Sequence, residues 1–352
     1  MEVSPTWDQP WPPSELQAVP LCPVCECPKR SVLRDGLVDN VFFVAQGRWT
    51  LHQCERCKSA YLDPRPNEAS IGKAYGTYYT HVAAGGGRTP TSELSTLLRL
   101  RRRMANGYLN HRYGTQRRPA SRFGAMLLAS LPRIRQGLDV EFRFLAEARP
   151  GQALLDVGCG NGGFLCSAAE AGWTACGVDP DPKALAAASS LGFDVRQGGI
   201  EAFADERDHF DAITLSHVIE HLHHPVEVVR AAYRLLKPGG ILYIDTPNIQ
   251  SHGLERFGTN WRGLESPRHL VLFSCDGLAN LLTQSGFYEL DFKRRSAVRA
   301  GLALSSLRMQ RGRSPYESQP SRLPWRLRLE ALMPRSIEHD EFLTVLAHKE
   351  KR

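Results

Sequence analysis

The stretch LLDVGCGNGG, Leu154 to Gly163, decides the fold of this chain. An apolar run ends in Asp156, and glycines follow at Gly158, Gly160, Gly162 and Gly163. A buried strand that breaks into a glycine-rich turn and then a helix makes a cradle for a nucleotide-like ligand. The glycines permit the tight turn and a close backbone approach, and the helix start offers unpaired N–H groups. Working outward, ALLDV, TACGVD, DVRQ, FDAITLS and ILYIDT read as strands, with helices over Gly163–Ala171, PKALAAASSLG and Val226–Leu236 between them. LKPGG is expected to stop the last of these helices, because Pro238 and the glycines cannot continue it. Beyond it, LANLLTQSGF reads as a helix, and YELDFKRRS and EFLTVLAHK as strands. The alternation predicts an α/β fold with a doubly wound, mostly parallel sheet, whose ligands sit beyond the carboxyl ends of the strands.

The chain has 352 residues and a formal net charge of +7. Its length suits two domains, or one large domain with an appendage. No stretch approaches the roughly 18 apolar residues that a membrane-spanning helix needs. The N-terminus, MEVSPTWDQPWPPSELQ, lacks a basic and apolar signal pattern, so a cytoplasmic location is expected. The charge is uneven. From Arg99 to Arg135 there are ten arginines and no acidic residue, and a second basic tract runs from Lys293 to Arg328. Such tracts are either solvated helix faces or surfaces for phosphate groups, on a nucleotide-sugar, an anionic membrane surface or a nucleic acid.

Asp179 closes the second strand about twenty residues after the glycine turn, where an acid accepts hydrogen bonds from a ribose diol. Nicotinamide enzymes share this pairing. Asp156 before the first glycine, the D-x-G-x-G-x-G order and LLKPGG downstream favour S-adenosylmethionine instead. LLDVGCGNG, GVDPD, FDAITLSHVIEHL and RLLKPGGILYIDTPN together closely resemble the motifs of class I S-adenosylmethionine-dependent methyltransferases, over about residues 150–290. The resemblance implies a seven-stranded Rossmann-like sheet with its last strand antiparallel. It implies cofactor contacts at Asp156, Gly158, Cys159, Gly160 and Gly162, at Asp179 and Pro180, at Gly199 and Ile200 beside the adenine, and at Ser216. The family often carries Asp where this chain has Gly199.

His217-Val218-Ile219-Glu220-His221 follows the fourth strand. As a helix it would put His217, Glu220 and His221 on one face. H-x-x-E-H is also a zinc-peptidase pattern, but here it sits beside a cofactor turn rather than on a long metal-binding helix. Methyl transfer to oxygen needs alignment and removal of a proton, so His217 or His221 is a candidate base. The segment resembles the E-x-x-E-H metal motif of small-RNA 2′-O-methyltransferases and ubiquinone-pathway O-methyltransferases, with His217 in place of the first Glu. That resemblance brings in a divalent cation at the acceptor site as the alternative means of activation. WRGLESPRHLVLFS, from Trp261 to Ser274, resembles the acceptor-side segment of bacterial methyltransferases of polysaccharide and glycolipid synthesis, and makes His269 a second candidate base or ligand.

Cys22-x-x-Cys25 and Cys54-x-x-Cys57 form two C-x-x-C knuckles, the signature of a closed, structural tetrahedral Zn2+ site, with Cys27 spare. The expected organisation is a disordered leader at 1–20 and a zinc ribbon at 21–66 with a β-rich middle from Asp39 to Thr50. A linker and basic helical segment at 67–149 follows, carrying Tyr75, Tyr78, Tyr79 and the linker Gly85–Pro90. The methyltransferase domain occupies 150–352. The reading is O-methylation of a sugar, glycolipid or similar small acceptor. RNA ribose 2′-O-methylation is the enzymatic alternative, and a non-catalytic zinc-ribbon binding module the other.

Overall fold

A computed structural model describes residues 6–76, 95–317 and 322–351. Tyr78, Tyr79 and the Gly85–Pro90 linker lie outside these. In chain order the first elements are β1 (Leu16–Gln17), β2 (Arg30–Leu37), β3 (Trp49–Cys54), β4 (Ala60–Leu62) and β5 (Arg65–Pro66). Three helices follow, α1 (Thr96–Tyr113), α2 (Arg122–Ala129) and α3 (Pro132–Asp139). Then come β6 (Ala153–Val157), α4 (Gly163–Glu170), β7 (Thr174–Asp179), α5 (Pro182–Ser190), β8 (Asp194–Gln197) and β9 (Phe210–Ser216). The chain continues through α6 (Pro225–Leu235), β10 (Leu236–Pro247), α7 (His252–Phe257), β11 (Val271–Leu272) and α8 (Cys275–Gln284). It ends with β12 (Glu289–Lys293), α9 (Arg299–Gln310), α10 (Trp325–Leu332) and β13 (Phe342–His348).

Seven strands form one sheet in the order β12-β13-β10-β9-β6-β7-β8. β6 pairs in parallel with both β7 and β9, β7 pairs in parallel with β8, and β12 and β13 are antiparallel. This is the expected Rossmann-like sheet. Its inner strands are near-continuous apolar runs because both faces are covered; β6 is buried from Leu154 to Val157, whereas DVRQ at the edge is mostly exposed. The strand order reverses between β6 and β9, which makes that junction the topological switch point.

The chain divides into two compact units. One comprises residues 1–78, 216–233 and 244–348, the other 79–215, 234–243 and 349–352. They are interleaved in sequence, unlike the serial domains expected above. In the first unit, a four-stranded sheet of order β11-β4-β3-β2 carries a core of Trp11, Trp49, Leu51, Leu62, Trp261 and Leu272. Here three expectations change. Residues 6–20 are not a disordered leader: β1 pairs with β5, and Trp11 and Val19 are buried. Their apolar side chains supply core that so small a sheet otherwise lacks. The strand of the ribbon middle lies earlier than expected, at Arg30–Leu37, and residues 38–48 form a loop around the Asp39 carboxylate. In addition, β10 begins at Leu236, so LKPGG joins the strand directly after the helix. Lys349 N–H donates to the Gly240 carbonyl there, a long-range pairing that the local turn chemistry cannot reveal.

Candidate active site

The glycine turn belongs to the second unit. Gly158, Gly160 and Gly162 have φ of +71°, +53° and +82°, a left-handed backbone that other residues adopt only with strain. The N–H groups of Gly158 and Cys159 donate to the Val178 carbonyl at 2.8 and 3.0 Å, which binds the turn to the end of β7. At Gly162 an added Cβ would lie 3.1 Å from Ala188 Cβ, so the turn also lets α5 approach. Gly160 N–H donates to Asp179 Oδ2 at 2.9 Å and Asp181 N–H to Asp179 Oδ1 at 2.9 Å. Burial raises the Asp179 carboxyl pKa, and these two N–H groups oppose the rise.

Asp156 is buried at the end of β6. Its Oδ1 accepts from Thr214 Oγ1 at 2.8 Å and from the Arg143 guanidinium. Its Oδ2 is buried with no hydrogen-bond partner among the described residues. Burial raises the Asp156 pKa, with Arg143 and Thr214 pulling the other way. The Arg143 guanidinium also lies 3.6 Å from the Phe164 ring centroid, a cation–π contact that fixes its plane. Cys159 differs from expectation in one respect. Its side chain packs inward with Leu165 and Leu185, so only its backbone is available to a ligand. Pro180 is exposed, and Ser216, which closes β9, is half-buried. Gly199 is extended, its N–H donating to Glu201 Oε1 at 2.6 Å, and Ile200 is buried.

The histidine segment belongs to the first unit, and it is not an α-helix. His217 has φ +55°, and only Ile219–His221 form a 3-10 turn. His217 and His221 therefore part. His217 sits between two buried carboxylates, 3.4 Å from Glu220 Oε1 and 3.3 Å from Asp245 Oδ2. Partial desolvation would lower its pKa, but the carboxylates of Asp245 and Glu220 outweigh this and raise it to about 10, although the side chain is 42% exposed. That makes His217 an imidazolium at neutral pH, unsuited to accept a proton. Asp245, bonded also to Arg295 and Thr344, is held down to about 2 against the opposing effect of burial.

His221 turns instead toward His269, with ring centroids 4.7 Å apart. His221 Nδ1 lies 3.0 Å from the Arg268 carbonyl and His269 Nδ1 2.8 Å from the Gly263 carbonyl. The Gly263 carbonyl only accepts, so His269 carries its proton on Nδ1 and presents a lone pair at Nε2, whereas His221 Nδ1 also meets the Tyr75 hydroxyl at 2.9 Å, a group that can donate or accept. Burial pushes the His269 pKa down to about 4. Glu220 is fully buried; its Oε2 accepts from Thr246 Oγ1 at 3.0 Å, and Oε1 faces His217 Nδ1 at 3.4 Å. One donor atom each from Glu220, His221 and His269 lies within 4.8 Å of the others. Beneath this cluster, Arg268 is fully buried and pairs with Asp39 and Glu265.

In the same unit the sulfurs of Cys22, Cys25, Cys54 and Cys57 lie within 4.8 Å of one another. Cys22 and Cys57 are 3.6 Å apart and Cys25 and Cys54 3.5 Å. Tetrahedral zinc with Zn–S bonds of about 2.3 Å would separate its sulfurs by about 3.8 Å, so the set fits. The knuckles match each other. Glu26 N–H donates to Cys22 O and Lys58 N–H to Cys54 O, with φ of +58° at Glu26 and +59° at Lys58. Cys27 points elsewhere, toward the Lys29 carbonyl.

The structure thus brings Asp156 and Asp179 to the glycine turn, and Glu220, His221 and His269 to one cluster. His217 stands apart from that cluster with Asp245. Sequence reading placed Arg268 in the Trp261–Ser274 segment but missed Arg143, Thr214, Asp245 and the pairing of Asp39 with Arg268. Only the buried Asp in ILYIDT, an acid within an apolar strand, carried a signal.

A methyltransferase-domain family model matches residues 133–290. A ubiquinone biosynthesis O-methyltransferase of Xanthomonas campestris pv. campestris is 30% identical over 170 residues, covering 46% of this chain and 65% of that protein. One from Pseudomonas entomophila is 38% identical over 105 residues, covering 28% of this chain and 45% of that protein. The chain therefore spans less than two thirds of these curated relatives. Similar solved structures include a SAM-dependent methyltransferase from Archaeoglobus fulgidus, 19% identical with TM-score 0.42, covering 62% of this chain and 94% of that one. Another is phosphoethanolamine N-methyltransferase 2 of Haemonchus contortus, 18% identical with TM-score 0.45, covering 62% of this chain and 53% of that one. The family model spans strands β6 to β10 of the seven-stranded sheet, and over residues 133–290 the chain carries an S-adenosylmethionine-dependent methyltransferase domain.

Proposed function

We propose that the protein transfers the methyl group of S-adenosylmethionine to a hydroxyl of a small acceptor, a sugar or glycolipid. The observation that carries the oxygen assignment is the cluster of one buried carboxylate and two imidazoles, of which His269 presents an unprotonated Nε2. The names of the relatives, O-methyltransferases, support the same choice. The sugar or glycolipid reading rests on the Trp261–Ser274 segment.

On the cofactor side, the unpartnered Oδ2 of Asp156 fits an ammonium group, which the methionine part of S-adenosylmethionine provides. Asp179 has lone pairs left for the ribose diol, Gly158, Gly160 and Gly162 allow close backbone approach, and Gly199 and Ile200 border the adenine. Arg143 orients Asp156 and opposes the burial that favours its neutral form. When bound, the cofactor supplies a methyl group already activated on sulfonium sulfur: the acceptor oxygen–carbon bond forms as the carbon–sulfur bond breaks, and sulfur leaves as a neutral thioether. His221 or His269 takes the hydroxyl proton at Nε2. His217, already protonated, is a positioning residue that steadies Glu220 and Asp245. A divalent cation on Glu220, His221 and His269 would acidify a hydroxyl in place of a free base. Two imidazoles and one carboxylate suit zinc, manganese or ferrous iron better than magnesium, which prefers oxygen ligands. Structural Zn2+ on Cys22, Cys25, Cys54 and Cys57 stabilises the ribbon.

The test has two arms. Calorimetry should show S-adenosylmethionine binding that weakens at least tenfold in Asp156→Ala; no binding by the parent protein overturns the enzyme reading. Extract fractions incubated with methyl-tritiated cofactor should yield a labelled acceptor. His221→Ala and His269→Ala should each cut its turnover while sparing cofactor affinity. Unchanged turnover in both variants overturns the base and cation assignment alone.

A further inference from the structure

Helices α1–α3, all within the second unit, combine three properties that the methyl-transfer reading does not use. The first is charge. Eight of the ten arginines between Arg99 and Arg135 are exposed, and no acidic residue interrupts them. The second is exposed apolar surface. Phe123 and Met126 on α2 are 74% and 71% exposed, Leu127 beside them 54%, and Ile134 on α3 51%. Leu97, Leu98 and Leu100 at the start of α1 are exposed as well. Scattered apolar residues on a surface are ordinary, but bulky ones repeated at i, i+3 and i+4 on one short helix are a patch.

The third property is that the patch is held outward by the packing of the helices. A Cβ on Gly124 would lie 2.2 Å from the Met104 carbonyl oxygen, and one on Gly107 1.8 Å from the Ser121 carbonyl oxygen. Backbone therefore rests on backbone where α2 crosses α1. That close crossing uses the Gly124 and Leu128 side of α2, both buried, and leaves Phe123, Met126 and Leu127 on the opposite side. The same segment lines a cavity of about 750 Å³ with Arg103, Asn110, Arg117 and Arg118. Arg117 is already engaged by Glu141 and Glu170, whereas Arg103 and Arg118 are exposed.

We propose that α1–α3 form a docking surface for an anionic lipid bilayer, with Phe123, Met126, Leu127 and Ile134 entering the headgroup–acyl boundary and the surrounding arginines meeting lipid phosphates. Basic residues around a protruding apolar face are the composition of helices that lie in a membrane interface. Among the described residues no helix is long and apolar enough to cross the membrane, so attachment is at the surface. Aliphatic Leu, Met and Ile gain nothing from a phosphodiester backbone or from stacking on bases, which favours a bilayer over RNA.

The experiment is vesicle flotation of the full chain. Vesicles of phosphatidylcholine with about one third phosphatidylglycerol should bind the protein at least tenfold more tightly than phosphatidylcholine alone, and salt should weaken the binding. Phe123→Ser with Met126→Ser, and separately Arg118→Glu with Arg122→Glu, should each reduce binding at least tenfold. Cofactor affinity measured by calorimetry should stay at the parent value, which separates this proposal from the methyl-transfer reading and shows that the variants fold. Absent vesicle binding, or binding indifferent to both pairs of substitutions, overturns it. So does RNA binding that the arginine variant abolishes and the Phe123/Met126 variant spares in the absence of vesicle binding. A concentration-dependent dimer that the Phe123/Met126 variant dissolves, again without vesicle binding, assigns the face to a second copy and also overturns it.

Discussion

Asp39 shows how much one side chain organises. Its carboxylate accepts the N–H groups of Phe42, Val44 and Ala45 at 2.9–3.0 Å and still pairs with fully buried Arg268. Burial raises its pKa, but Arg268 and the backbone donors more than offset this and hold it below the usual 3.8. Removing one partner of a buried ion pair leaves the other charged and unsolvated, so Asp39→Asn should cost about 3 kcal/mol in a denaturant titration at pH 7. The sign of the pH dependence follows. A carboxyl whose folded pKa is depressed contributes stability above its unfolded value and loses it as pH falls through the folded one. The gap between parent and variant should therefore narrow progressively below about pH 4; a gap that does not narrow on acidification would remove the ion pair as its cause. None of this was legible beforehand. Asp39 and Arg268 are far apart in sequence, and neither differs in kind from its neighbours. Arg143 is the same case, one arginine in a basic stretch until the fold sets it on Asp156.

At the level of elements, the cofactor turn was legible because its determinants are local. Strand, glycines and Asp179 all lie within one strand–helix–strand unit, and Gly158, Gly160 and Gly162 each meet a left-handed backbone where they stand. The histidine segment was not, because periodicity within five residues cannot separate an α-helix from a left-handed residue followed by a single 3-10 turn. His269 completes the cluster from a segment 48 residues after His221, a distance over which pattern gives no register. The cysteine knuckles were legible in the same local way as the glycine turn. Cys25→Ser should lose the bound zinc, while Cys27→Ser should keep one equivalent, measured by atomic absorption. Retention of zinc by Cys25→Ser, or its loss from Cys27→Ser, would reject the four-thiolate assignment.

For the molecule as a whole, a ligand that binds only the folded state stabilises it by mass action. S-adenosylmethionine at a hundred times its Kd should add about 2.7 kcal/mol to the unfolding free energy, read by chemical denaturation. No gain would mean no binding to the folded protein. The sheet type was legible from the alternation of strand and helix signals, but the strand order and the interleaving of the units were not, since they depend on which distant strands pair. One pairing carries a consequence for how the chain is made. β11 joins β4 with Val271 opposite Tyr61, 210 residues away. At synthesis rates of about 5–20 residues per second, the ribbon waits roughly 10–40 s for its fourth strand. Both knuckles have left the ribosome long before then, and a zinc ion clasped between them would keep the first three strands in register through that interval. The metal's largest benefit would then fall on the yield of folding rather than on the finished protein: zinc-depleted synthesis would produce more aggregate than zinc removal from the mature chain produces unfolding.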